Sequence, residues 1–179
     1  MQDQTPITWV DGSTTLDDDS FNTEIRNAYA LLLSPPICQV HRAAAASVAT
    51  GGFNPITWDT KNFDTEDPST PMYSAGNPTR ITIQTAGYYY VNAAVGVGNT
   101  DTNTQNASIA VRVNNSTYYN LDTSRGPANR SLYLAASTII PFSASDYLEL
   151  MISQTSGTAG NLAVTAYLPL FTVVRWAGL

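Results

Sequence analysis

The stretch from Ile81 to Val97 constrains this chain more than any other. Ile81 and Ile83 share one side of an extended backbone, and Gly87 follows. Tyr89, Val91, Ala93, Val95 and Val97 then alternate with Tyr88, Tyr90, Asn92 and Ala94. A period of two belongs to a β-strand, because successive side chains of an extended chain point to opposite faces. Neither face of the second strand carries a charge. It is therefore expected to be covered on both sides, by its own core and by a neighbouring subunit. Gly87 lacks a Cβ, and its expected role is a dihedral angle that lets the chain turn tightly. The pattern is one of packing and not of catalysis.

The same period runs from Ile37 onward. It predicts strands near 37–42, 55–59, 79–84, 87–97, 107–114, 131–135, 138–142, 147–154, 161–168 and 171–176. Gly51-Gly52, Asp67-Pro68, Gly76-Asn77-Pro78, Asn114-Asn115, Gly126-Pro127 and Gly157 to Gly160 mark turns between them. Residues 60–78 read as an irregular surface loop. The inward faces are expected from Ile109/Val111/Val113, Leu148/Leu150/Ile152 and Leu162/Val164/Ala166/Leu168. Many short strands with almost no helix predict an all-β chain, a two-sheet antiparallel jelly roll over residues 36–179.

Residues 1–35 have a different character. They hold Asp3, Asp11, Asp17, Asp18, Asp19 and Glu24, and a polar arm with an isolated Ile7-Thr8-Trp9-Val10 patch. A short helix is expected after it, with Thr15 as N-cap and the three aspartates at its positive end. Phe21, Ile25, Ala28 and Leu32 line one face at spacings of four, three and four. Ser34-Pro35-Pro36 ends the helix, since proline supplies no N–H. A helix of this length is marginal alone in water, so its stripe must find a surface. Trp9, Phe21, Ile25 and Leu32 are accordingly the candidate attachment residues, with packing of Trp9 and the stripe on the home domain, or a short self-associating helical bundle, as the alternatives.

Charge and chemistry exclude several functions. The chain has 14 acidic against 8 basic residues, a net charge of −6, and its arginines are scattered. Nucleic-acid binding needs clustered cations and is not expected. No apolar run is long enough to span a bilayer, so no membrane insertion is expected. The N-terminus shows no basic segment ahead of an apolar one, which points to assembly in a cytoplasm. Cys38 is the only cysteine and His41 the only histidine. Three apart on a strand they face opposite sides, so neither a zinc site nor a Cys-His pair is expected. Asp59, Asp64, Glu66 and Asp67 cluster in one loop. They read as solvated charge, with a calcium site as the alternative. No enzymatic activity, cofactor or metal is expected. The ten tyrosines and three tryptophans remain, to stack on sugars or to line a subunit interface.

Pro78 to Val91, with Gly87-Tyr88-Tyr89 at its centre, resembles the central signature of the tumour-necrosis-factor and complement globular-head jelly rolls. Ile109-Ala110-Val111-Arg112-Val113-Asn114, Ser145-Asp146-Tyr147-Leu148-Glu149-Leu150 and the apolar strand from Leu162 follow in the family's order. Ser145 stands where the family usually has glycine, and residues 171–179 depart from its usual ending. Trp58-Asp59-Thr60 through Phe63-Asp64 is similar to the segment ahead of this signature in bacteriophage versions of the domain. Ile7 to Gly12, with Leu16 and Phe21-Asn22, resembles the opening of many tailed-phage structural proteins. The resemblance implies a TNF-like homotrimer with aromatic faces around its threefold axis, and Tyr88, Tyr90 and Tyr147 are the expected interface residues. It implies a virion protein, most simply a capsid decoration held by the major capsid protein or another virion protein. The alternative is a tail- or fibre-associated module that binds a host surface glycan.

Overall fold

A computed structural model of the chain describes residues 9–10, 15–16, 22, 25–26, 29, 34–66, 68–98, 105–128, 130–164 and 169–178. The chain divides into two compact units, Met1–Pro35 and Pro36–Leu179. In the first, β1 (Trp9–Val10) pairs antiparallel with β2 (Thr15–Leu16). Thr15 is thus a strand residue opposite Val10 and not the expected helix cap. Asn22, Ile25, Arg26 and Tyr29 are helical and exposed. Phe21 and Leu32 lie outside the described residues.

The second unit is a two-sheet antiparallel jelly roll. Its strands are β3 (Ile37–His41), β4 (Ser47–Val48), β5 (Asn54–Pro55), β6 (Thr60–Asp64), β7 (Arg80–Thr82) and β8 (Gly87–Gly98). There follow β9 (Gln105–Val113), β10 (Thr117–Gly126), β11 (Leu132–Phe142), β12 (Tyr147–Gln154), β13 (Gly160–Leu162) and β14 (Leu170–Ala177). The larger sheet runs β6-β3-β14-β8-β11. Near Gly98 the place of β14 beside β8 is taken by β13, with β4 beyond it. The smaller sheet runs β10-β9-β12, and β5 and β7 share the far edge of β12.

Alternation produces the core. Tyr89, Val91, Ala93, Val95 and Val97 of β8 point inward, as do Leu132, Leu134, Ile140 and Phe142 of β11. They meet Ile109 and Val111 of β9 and Leu148, Leu150 and Ile152 of β12 across the sandwich. Val113 is only partly buried, and of the stripe expected from Leu162 the described part is buried at Leu162 and half-buried at Val164. Trp58 stacks on Phe171 at 5.8 Å, and Tyr89 meets Phe142 edge-on at 5.8 Å. The Tyr89 hydroxyl donates to the Thr85 carbonyl at 2.6 Å, so this ring is buried without stranding its polar end.

Several expectations need correcting. The strand expected at 55–59 is short, Asn54–Pro55. Ile56 and Trp58 stay buried and donate their N–H groups to the Leu150 and Pro78 carbonyls without forming a ladder. The loop expected over 60–78 contains β6, an edge strand mostly facing solvent and therefore without an apolar alternation. The strands expected at 131–135 and 138–142 are one strand. Its inward positions include Ala136 and Thr138, whose small or polar side chains hide the period. β10 is absent from the sequence reading for a related reason: it is the edge of its sheet, and a bulge between Asn120 and Asp122 shifts its phase.

Gly87 also has a different role. The non-helical positive φ values among the glycines fall at Gly51, Gly52 and Gly157, not at Gly87. A Cβ on Gly87 would lie 2.4 Å from the Ala177 carbonyl oxygen and 2.7 Å from Nε of Arg175. The bulge in β14 between Arg175 and Ala177 brings that backbone close, and only hydrogen fits between. Replacement Gly87→Ala should therefore destabilise the domain by about 1–3 kcal/mol through overpacking. Urea unfolding of the variant measures this, and an unchanged midpoint would refute the close-approach account.

Candidate functional site

The outward face of the larger sheet is the main candidate. Inward positions of β8 alternate with Tyr88, Tyr90, Asn92 and Ala94, and ladder register decides what stands beside each. Ile139, Tyr90, Val174 and Ile37 form one row across β11, β8, β14 and β3. Ser137, Asn92, Thr172 and Gln39 form the next, followed by Ala135, Ala94, Leu170 and His41. Pro141 and Tyr133 flank the rows opposite Tyr88 and Gly96. None of these side chains is an aspartate, glutamate, lysine or arginine. In the chain as it stands, Ile139 is 53 % exposed, Tyr88 43 % and Tyr133 61 %. The middle row is tied together by Nε2 of Gln39 donating to Thr172 Oγ1 at 2.9 Å, while Asn62 Nδ2 donates to Gln39 Oε1 at 2.8 Å. The result is an uncharged surface whose middle row is pre-ordered by hydrogen bonds.

Tyr88 and Tyr90 belong to it; Tyr147 does not. Tyr147 opens β12 in the other sheet, opposite Thr82, and the Arg80 guanidinium lies over its ring at 4.0 Å. Period and composition could not separate these tyrosines, because the sheet to which a strand belongs is a long-range fact. Ile139, Val174 and Tyr133, absent from the sequence reading, stand with Tyr88 and Tyr90. Their signal in the sequence was the polar-phase positions of strands 131–142 and 171–176. Of the expected attachment residues, Ile25 is helical and 43 % exposed. Trp9 is in β1, and Phe21 and Leu32 lie outside the described residues.

The outward face of the smaller sheet contains a buried ion cluster. Glu149 is 2 % exposed although it points away from the main core. Arg112, directly opposite it on β9, donates from Nε at 3.0 Å and from Nη2 to the same carboxylate oxygen. Thr79 Oγ1 donates to the other oxygen at 2.7 Å, and Arg80 Nε stands 3.6 Å away. Burial works against the charge on Arg112. The Glu149 carboxylate and the Tyr118 hydroxyl outweigh it, so the guanidinium holds its proton more tightly than usual. Phe53 lies against Tyr118 with ring centroids 5.7 Å apart, and both rings remain partly exposed.

The residues with chemical potential elsewhere are committed to structure. Cys38 is fully buried, and burial, assisted by the Asp64 charge, pushes its thiol up to about 12. At neutral pH it is a protonated core side chain and not a nucleophile. The carboxylates of the loop are each engaged by hydrogen-bond donors of the chain. Asp59 accepts from the N–H groups of Ala43 and Ala44 at 2.8 and 2.9 Å and from the Thr60 hydroxyl. Burial pushes the Asp59 carboxyl up, but these donors and the nearby Arg42 charge prevail and leave it below its usual value. Asp64 accepts from the N–H groups of Tyr73 and Glu66, and Glu66 accepts from the Thr85 hydroxyl. Asp67 lies outside the described residues. Among the described residues no group of three or more potential ligands is placed to share a metal ion.

No protein-family model and no curated protein sequence matches the chain. Solved structures do. Eiger TNF from S. frugiperda superposes with a TM-score of 0.56 at 11 % identity, covering 82 % of this chain and 95 % of that one. Murine APRIL at pH 5.0 gives 0.53 at 9 % identity, covering 79 % and 99 %. The globular domain of zebrafish complement 1qA gives 0.51 at 14 %, covering 78 % and 94 %. At these identities the likeness is one of fold, and the fold is the TNF-like jelly roll.

The ion cluster carries its own test. Replacement Glu149→Ala leaves Arg112 buried without its counter-charge and should cost about 3–5 kcal/mol of stability. Chemical denaturation measures the loss, and a change below 1 kcal/mol would mean that water already solvates the pair.

Proposed function

We propose that this chain is a structural protein of a tailed-phage virion, a homotrimer that decorates and stabilises the capsid. The observation that carries the reading is the uncharged outward face of β11, β8, β14 and β3. An uncharged surface whose Tyr90, Ile139 and Val174 row is apolar and aromatic, beside a polar row of Asn92, Ser137, Thr172 and Gln39, gains by burial against another copy of itself. The fold likeness supports trimeric closure, and the resemblance of Ile7 to Gly12 and of Trp58 to Asp64 to phage proteins supports the virion. Residues 1–35, a compact unit with its own composition, are the attachment device towards the major capsid protein or another virion protein. Assembly then takes place in the host cytoplasm, and the jelly roll stands on the particle surface.

A second reading has one observation in its favour. Phe53 and Tyr118 remain partly exposed on the opposite sheet, and a tilted aromatic pair beside Arg80 and Arg112 suits a sugar ring. In that case the trimer is a tail- or fibre-associated receptor module for a host surface glycan. Loss of binding in a Tyr118→Ala variant, on a glycan array to which the parent binds, separates it from decoration.

Sedimentation of the parent at micromolar concentration should give a trimer. Tyr90→Glu and Val174→Glu each place a charge in the middle of the proposed interface and should give folded monomers, whereas Tyr147→Ala should remain trimeric. A parent protein that sediments as a monomer overturns the association reading.

Attachment is tested separately. Removal of residues 1–35 should leave a trimer with a melting temperature within a few degrees of the parent that no longer copurifies with particles. If the shortened chain unfolds, those residues serve the fold and the attachment reading fails.

A further inference from the structure

The uncharged outward face of the larger sheet carries one group that acquires a charge in mildly acidic water. β3 points Cys38 and Val40 into the core and Ile37, Gln39 and His41 outward. His41 therefore ends the row of Ala135, Ala94 and Leu170, with Thr60 of β6 on its other side. It is the only histidine of the chain. The tyrosines that share the face do not compete with it, because a phenol does not ionise near neutral pH.

The surroundings of His41 give a cation little support. The ring is half-buried, and its Nδ1 is enclosed by the chain without a hydrogen-bond partner. Its neighbour on β14 is Leu170 and on β6 Thr60, and one row further Phe63 stands opposite Gln39. Lys61 and Asp64 of β6 lie opposite Val40 and Cys38, which are inward positions. Arg42 and Asp59 flank the end of β3 with opposite charges that act on each other. Both are engaged by the chain: Arg42 Nη1 donates to the Thr57 carbonyl, and Asp59 receives the Ala43 and Ala44 N–H groups. Among the described residues no carboxylate of this face stands beside His41. Water is therefore the main support of a protonated ring, and a second copy laid on the face removes that water.

We propose that His41 makes the association of this face pH-sensitive: as a neutral ring it is buried against the next copy, and as a cation it drives the copies apart. The proposal rests on the association reading of this face and not on the virion reading. Histidine is the side chain whose charge ordinarily changes between about pH 5 and 8. Burial favours the neutral ring, so association and proton binding oppose each other. The contribution of His41 to association is complete above that range and is lost as the pH falls through it. A closed trimer contains three copies of the ring, so the linkage acts three times in one assembly event.

The test is sedimentation of the full chain over a range of concentrations, at about pH 7.5 and about pH 5.5 and constant ionic strength. The concentration at which half of the protein is associated should be about tenfold or more higher at the acidic pH. His41→Gln, uncharged throughout, should associate equally at both values. His41→Arg, charged throughout, should associate weakly at both. Far-ultraviolet circular dichroism checks that each variant keeps its sheets, and the glutamine variant decides the matter if the arginine variant unfolds. Equal association of the parent at both values, a pH dependence that survives in His41→Gln, or tight association of folded His41→Arg would each overturn the switch and leave the association reading standing. A parent that is monomeric at both values overturns the association reading and the switch with it.

Discussion

Every other feature of the jelly roll is arranged around the register of β8. Its inward residues, Tyr89 through Val97, form the centre of the core, and its backbone pairs along its whole length with β11 on one side. On the other side β14 and β13 take successive parts of it. Shifting any of these ladders by one residue would turn valines outward and asparagine, threonine and serine inward. The hydrophobic effect on one face therefore holds the register, and the register in turn determines the composition of the other face. The uncharged outer rows are a consequence of one strand packing correctly on its inner side.

The two sheets solve different problems on their outward sides. The larger sheet leaves its outer face uncharged with Tyr88, Tyr133 and Ile139 exposed, and that exposed apolar area is costly in water unless something covers it. The smaller sheet is more self-contained: Phe53 lies against Tyr118, Arg80 and Arg112 approach Glu149, and both Glu149 and Met151 are buried there. A carboxylate with two guanidinium groups and a hydroxyl around it tolerates burial because its oxygens are hydrogen-bonded. This difference between the faces is the physical reason for placing association on the larger sheet and any aromatic ligand contact on the smaller.

The remaining polar groups illustrate how much of a β-sandwich's charge goes to its loops. Asp59, Asp64 and Glu66 each accept hydrogen bonds from backbone or hydroxyl donors that a loop would otherwise leave unsatisfied. Asp146 does the same at the turn before β12, accepting from the Ser143 N–H and from Asn114 Nδ2. In a loop sequence these carboxylates look like a ligand set. Their oxygens are in fact the hydrogen-bond partners of the chain that crosses between strands.

The sequence by itself determined the class of fold and most of the long strands, because burying one face of an extended chain imposes a period of two that survives in the residues. Strands β3, β8, β9, β12 and β14 are legible for that reason, and so is the break after residue 35, where composition changes. Cys38 and His41 could be set aside as a pair from spacing alone. Only the tertiary structure decided what lacks a local signature. Edge strands β6 and β10 bury little of either face, and the bulge in β10 breaks its phase, so no clear pattern marks them. Gly87 is required by a backbone ninety residues away, and a single glycine in a sequence does not say which neighbour needs its missing Cβ. Tyr88 and Tyr147 look alike in the chain yet stand on different sheets, since sheet membership is set by pairing between distant segments.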